Sequence, residues 1–397
     1  MPFLPSLLLN LGHALDHLFL LIFATAVSAI AQDFGVAGWE DMMPYTVGAF
    51  MMFGFASIPA GRMGDLWGRR QMMLVFFFGI GLSAIAVSLT QTPLQMGIAL
   101  TVLGVFSAIY HPVGIPMLVQ KAEKPGFTIG VNGLAGNLGI ALAALSTGFL
   151  VAWQGWRMAF IVPGLVSIAC GFVFAWSAPQ EGSAPAKKKS NSVQLPKNVA
   201  WRTFAVMVAT ATTTSVLFNI TTNGNAQLLA ERLDGLVNDP ARLGMLLAAI
   251  YAVASLAQLV VGRLLDWFPV KPLFFCVLVL QIVAFGVASQ TSGWLWYVAA
   301  IGYMVMVFGA IPFSDTMVVR YIDDAMRSRV SGTRIAISFG FSSIAVYMLG
   351  PVVKVAGFTQ LMMALTCVAA LGALIVLFLP NEAEMNAHLQ SGSGKSL

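Results

Sequence analysis

Charge and cysteine are what this chain has least of. Only 9% of its 397 residues are charged, and its three cysteines, Cys170, Cys276 and Cys367, lie far apart inside apolar runs with no ligand-like spacing. So little charge excludes a water-solvated globular domain, since most of the chain must be solvated by lipid. A disulfide framework and a cysteine metal site are unsupported for the same reason, and the three read as small packing residues. No Lys or Arg precedes Arg62. The charged start of a cleaved signal peptide is therefore missing, and the first apolar run is expected to stay in the mature protein. Nor does any Lys or Arg fall near the centre of an apolar run, which excludes a site built on a permanent mid-membrane cation. Gly394-Lys395-Ser396 lacks the upstream glycine of a phosphate loop and reads as a flexible tail.

What the chain has is apolar length. Hydrophobic residues make up 58% of it, mean hydropathy is +0.84, and a span of about 20 residues crosses a hydrocarbon core. Twelve such runs stand at roughly 6–30, 42–61, 72–90, 94–119, 127–152 and 158–178, then 201–228, 242–265, 272–289, 294–319, 330–353 and 358–380. A polar stretch with Lys187, Lys188 and Lys189 separates the sets. The expected organisation is an N-terminal six-helix bundle over 1–178, a cytoplasmic linker over 179–200, a C-terminal bundle over 201–380 and a flexible cytoplasmic tail over 381–397. If both termini are cytoplasmic, only Arg157, Arg232, Arg242 and Lys354 lie outside, leaving 17 of the 21 Lys and Arg inside. That is the positive-inside pattern of a multi-pass inner-membrane protein. The +5 net charge follows from this topology, and no nucleic-acid partner is expected.

Between the second and third runs stands Gly61-Arg62-Met63-Gly64-Asp65-Leu66-Trp67-Gly68-Arg69-Arg70, and a worn copy, Gly262-Arg263-Leu264-Leu265-Asp266-Trp267, follows 201 positions later. Gly155-Trp156 and Gly357-Phe358 echo each other at an offset of 202. Two repeats at half the chain length indicate a duplicated membrane unit. The hinge resembles the cytoplasmic signature of the major facilitator superfamily, matching it at Gly61, Asp65, Gly68, Arg69 and Arg70. This resemblance implies an all-α membrane fold of twelve transmembrane helices in two pseudo-symmetric six-helix bundles. It also implies gating roles for those five residues and for Asp266, with Arg334 beside them at the start of helix eleven. A purely topogenic basic loop would explain the arginines but not Asp65 with its glycines. In the second copy Pro269 and Val270 replace the expected glycine and basic residue, so a symmetric gate does not follow.

Ionisable groups inside spans are costly and usually face a cavity or one another. Asn10, His13, Asp16 and His17 share an arc of about 120° on helix one, at about 100° per residue, and His111 falls on helix four at a comparable depth. The family resemblance lines the central cavity with helices one, four, seven and ten, which implies that these faces meet. Three readings stay open for His13, Asp16, His17 and His111. One is proton coupling, which suits imidazoles that titrate near neutral pH beside a carboxylate. The second is a hydrogen-bonded structural network. The third is a metal site, because His13-Ala14-Leu15-Asp16-His17 imitates an inverted zincin spacing.

Helix seven carries a polar stripe of Thr212, Ser215, Asn219, Thr222 and Asn223, suited equally to a substrate and to neighbouring helices. Tyr251, Ser255 and Gln258 share a face of helix eight. Met304, Phe308, Ile311 and Asp315 do so on helix ten, where Asp315 either exchanges a proton or pairs with Arg334. Pro112, Pro116 and Pro312 read as kinks, and Asn132 and Asn137 as packing residues. His13 with Asp16, and Tyr110-His111-Pro112, resemble fosmidomycin-resistance-type bacterial efflux proteins. That resemblance implies proton-coupled export of a small amphipathic or anionic compound by a monomer without a cofactor, through a site including Asn10, Tyr110, the helix seven stripe, Tyr251, Met304 and Phe308. Uptake of a small organic acid with protons, or carriage of a transition metal, would use the same residues. An intramembrane metalloenzyme or a non-transporting sensor fits the duplicated layout less well.

Overall fold

Lipid offers the backbone no hydrogen-bond partner, so each apolar run must satisfy its own N–H and C=O groups as a helix. The computed structural model describes residues 3–120, 122–123, 125–179, 197–322 and 324–380, and they are helical almost throughout, with no strand among them. The linker lysines Lys187, Lys188 and Lys189, the tail from 381 onward, and Lys121 and Lys124 lie outside the described residues.

Helix one is α1 (Phe3–Asp33). Helix two is built from α2 (Trp39–Met42), a 3-10 turn (Met43–Thr46), α3 (Val47–Phe55) and α4 (Ser57–Trp67), and helix three is α5 (Arg69–Ser88). Helix four comprises α6 (Pro93–Ser107), a π-helical turn (Tyr110–Gly114) and α7 (Ile115–Val119). Helices five and six are α8 (Pro125–Gln154) and α9 (Trp156–Ser177). The second half repeats the plan with α10 (Lys197–Arg232), α11 (Pro240–Trp267), α12 (Val270–Gln290), then α13 (Gly293–Gly309) with α14 (Ile311–Tyr321), and finally α15 (Asp324–Val376). α15 holds helices eleven and twelve, joined through a bend at Gly357. Among the described residues, ten helices are long and apolar enough to cross a membrane. The difference from twelve has a local cause: helix two is broken at Ala56 into short pieces, and helices eleven and twelve run together.

Two expectations need adjustment. Gly61–Trp67 is not a loop but the end of α4, and only Gly68 leaves helical geometry, at φ 99°. The second half begins at Lys197, inside the stretch expected to be linker. Helices four and ten bend where their prolines stand, Pro112 in the π turn and Pro312 in the first turn of α14.

The duplication is visible in the backbone. Gly155 and Gly357 both adopt positive φ, 85° and 80°, and each is followed by a buried aromatic residue, Trp156 or Phe358. Beside the first, Arg157 binds Asp33 at 2.7 Å, tying helix six to the end of helix one. Beside the second, Arg232 donates to Thr359 at 2.8 Å, tying helix seven to the start of helix twelve.

Several side chains tie the halves together at the end where α1 finishes, here the distal end, while helices five and eight also pack against each other across the halves. Lys354 binds both oxygens of Asp41 at 2.6 and 2.7 Å, and Trp39 stacks on Phe358 at 5.8 Å. Ser28 donates to Gln227 at 2.8 Å, and Gln227 donates to the Ala24 carbonyl at 3.1 Å. At the proximal end, where α1 starts, Asp65 and Asp266 are exposed. The halves are latched at one end of the bundle.

Helix one is set against helix five by close backbone approach. A Cβ on Gly139 would stand 2.1 Å from the Ala14 carbonyl oxygen, whereas one on Gly286 would meet nothing within 4 Å. Gly139→Ala is therefore expected to lower the thermal unfolding midpoint in detergent, through overpacking of about 1–3 kcal/mol. Gly286→Ala should hold or raise that midpoint, since alanine is the better helix former. An unchanged midpoint for Gly139→Ala would contradict the packing.

Candidate functional site

The polar face of helix one meets helices four and five in the interior of the first half. His13 and Asp16 are buried, with His17 beside them. A Cβ on Gly136 would come within 2.6 Å of the His13 ring, so helix five leaves room for the imidazole by carrying no side chain there. His13 Nδ1 lies 2.7 Å from the Asn132 carbonyl oxygen. A carbonyl only accepts, so Nδ1 carries a proton, and in a neutral ring Nε2 is then the bare nitrogen. That Nε2 is buried with no hydrogen-bond partner.

Asn132 holds the cluster together. Its side-chain amide donates to Asn10 Oδ1 at 3.0 Å and to the Tyr110 hydroxyl at 2.7 Å, and Tyr110 donates to the Leu9 carbonyl at 2.8 Å. Tyr110 also stacks on His13 with ring centroids 4.7 Å apart. Successive residues of an α-helix diverge by about 100°. Even so, Tyr110 and His111 both reach α1, because the π turn widens the helix where Pro112 supplies no N–H.

Asp16 is fully buried; Ser107 donates to its Oδ1, and Oδ2 has no hydrogen bond. His111 Nε2 stands 3.6 Å from that Oδ2. The His111 ring lies 4.9 Å from His13 and 5.8 Å from His17, and its side chain is 37% exposed. His111 thus bridges the buried acid and the space between the halves. It also meets Phe53, ring to ring at 5.6 Å, and Phe53 contacts Phe339 of the second half at 4.8 Å.

The three histidines form a group whose ligand nitrogens lie within 4.8 Å of one another. Donors around a tetrahedral ion at about 2.1 Å stand about 3.4 Å apart, so His13, His17 and His111 would have to draw together before sharing one.

The second half places its expected site residues elsewhere. Ser215 bonds Ser342 at 2.8 Å and Thr212 approaches Ser338 at 3.5 Å, so the helix seven stripe faces helix eleven. Asn219, Thr222 and Asn223 bond back to carbonyls of their own helix. Tyr251 donates to the Thr222 carbonyl at 3.2 Å and stacks near Phe308, which is buried with Met304. Asp315 pairs with Arg334 at 2.7 Å.

Of the residues expected to gate, Asp65 has no hydrogen bond or ion pair among the described residues, and Gly61 lets α4 pack on Pro112. Gly68 turns α4 into α5, and Arg70 caps helix six through the Ala175 and Ala178 carbonyls at 2.6 and 2.9 Å. Arg69 and Asp266 lie at the same end. Ser107, Asn132 as a network centre, Phe53 and Gly136 were not singled out from sequence. Each is an isolated small, amide or aromatic residue on an apolar helix, and its partner is far away in the chain.

Comparison with known proteins follows the same lines. The family model described as Major Facilitator Superfamily matches residues 9–231. The multidrug resistance protein MdtG of Yersinia enterocolitica is 24% identical over 269 residues, 64% of this chain and 63% of its own length. The tetracenomycin C resistance and export protein of Streptomyces glaucescens is 27% identical over 165 residues, 40% of this chain and 30% of its own. Both matches thus cover less than two thirds of the relative. The crystal structure of a D-xylose–proton symporter superposes with a TM-score of 0.77 at 13% identity, covering 100% of this chain and 99% of that one. That likeness concerns the fold.

Asn132→Ala leaves Asn10 and Tyr110 without their donor, and should lower stability by about 1–3 kcal/mol. Combined with Tyr110→Phe, the loss should fall short of the sum by at least about 0.5 kcal/mol, because the two share one network. Additive losses in thermal unfolding would contradict a shared network.

Proposed function

The chain belongs to the major facilitator superfamily, and from that premise we propose that it is a secondary transporter exporting a small amphipathic or anionic compound in exchange for protons by alternating access. The observation that carries this reading is the Asp16 carboxylate. It is buried, has one oxygen unpartnered, and lies 3.6 Å from a histidine that reaches the space between the halves. A charge so placed is costly unless something neutralises it, and a proton is the smallest species that does. His111 supplies the exchange route, with His13 and His17 as further acceptors. Export is supported by the relatives named for multidrug resistance and tetracenomycin C export.

With the termini cytoplasmic, the distal latch of Asp41, Lys354, Trp39 and Phe358 closes the outward side. Asp65, which has no partner, is then the open half of a gate that would close on the opposite side. Coupling requires that the Asp16 cluster be loaded on one side and emptied on the other.

Asp16→Asn should abolish pH-gradient-driven transport in proteoliposomes while leaving substrate counterflow measurable. A structural role would instead remove both together with thermal stability. Full gradient-driven accumulation by Asp16→Asn would exclude Asp16 as the coupling site.

A further inference from the structure

Arg334 is an unusual presence. It sits four residues into the apolar part of helix eleven, its side chain is 8% exposed, and its guanidinium meets Asp315 through Nη2 alone, at 2.7 Å. Its Nη1 is buried and has no hydrogen-bond partner. Arginine and carboxylate usually pair through two parallel bonds. Here Asp315 turns outward, 75% exposed, and one end of the fork is left open. An unsatisfied buried donor on a charged group is expensive to maintain, so the arrangement suits an anion that arrives and leaves.

The surroundings describe the rest of that anion. Ser338 lies one helical turn beyond Arg334 and Ser342 one turn further, with Thr212 and Ser215 facing them from helix seven. Next to Ser338, Phe339 packs against Phe53 across the halves. A cation and a row of hydroxyls share one face of helix eleven, and the neighbouring Phe339 reaches Phe53 from the adjoining face.

Resting on the transport reading above, we propose that Arg334 is the substrate's anion-binding residue: a carboxylate, sulfonate or phosphate group takes the free Nη1 while Asp315 holds Nη2, and the apolar body lies toward Phe53 and Phe339. The substrate is thereby an organic anion with an apolar body, and Asp315 is the counter-ion that keeps Arg334 in place between transport cycles. Arg334 then reads substrate charge, a role distinct from the gate position expected for it.

The test is binding of three isosteric probes to the purified full chain in a non-ionic detergent, 4-phenylbutyrate, 4-phenylbutanamide and 4-phenylbutylamine, read as concentration-dependent thermal stabilisation. The carboxylate should bind at least about tenfold more tightly than the amide, the scale of one charged hydrogen bond, and the amine should be weakest. Arg334→Gln should erase the preference for the anion, and Arg334→Lys should keep part of it. Asp315→Asn should strengthen carboxylate binding, since an asparagine oxygen can still hold Nη2 while the negative charge that repels an anion at Nη1 is gone. Equal binding of carboxylate and amide, failure of the carboxylate to bind, or weaker carboxylate binding in Asp315→Asn would each overturn the proposal. If Arg334→Gln does not fold, Arg334→Lys and Asp315→Asn still decide it. Proton-driven transport that persists without any anion preference would leave the transport reading intact and remove Arg334 from it.

Discussion

A carboxylate kept inside an apolar helix bundle is the constraint around which the first half is built. Asp16 has water on no side, so its neighbours must supply what solvent would. Ser107 gives one hydrogen bond, and three imidazoles stand within a few ångströms of one another beside it. The rest of the local structure brings those groups in. Gly136 and Gly139 let helix five approach, the π turn turns Tyr110 and His111 together toward helix one, and Asn132 ties three helices at one point. Helix four bends for the same reason, since a straight α-helix would present one of the two residues and turn the other away.

The second half uses polarity differently. Its hydroxyls and amides mostly satisfy one another between helices seven and eleven, and its ionic pair sits toward the end of the bundle opposite the latch. The halves are otherwise duplicates, down to the positive-φ glycines before helices six and twelve.

Much of this was legible in the sequence because membrane helices announce themselves by length and composition. The twelve runs, the repeat offset of about 200 residues and the polar arc on helix one all report on single helices, where periodicity is local. The pairing of Asp315 with Arg334 was one of two roles open to Asp315 in the sequence. Asn132 and Ser107 were not legible as site residues: their partners stand 119 and 91 positions away, and a lone amide or hydroxyl on an apolar helix has no pattern around it. The helix seven stripe was ambiguous for a related reason. Whether it faces a substrate or Ser338 and Ser342 depends on helix rotation, which tertiary packing sets. The break of helix two at Ala56 does have a mark in the run: Pro59 has no N–H for the Phe55 carbonyl one turn back, so the helix is interrupted there.

The central claim is that Asp16 carries the exchangeable proton, and infrared difference spectroscopy of the protein in lipid vesicles across a pH titration reads it most directly. Buried carboxylic acids give a C=O stretch separate from those of carboxylates and solvated acids. The account predicts such a titrating band in the wild-type protein and in Asp315→Asn, and its loss in Asp16→Asn. A band that survives Asp16→Asn, or no titrating carboxylic band in the wild type, would contradict it.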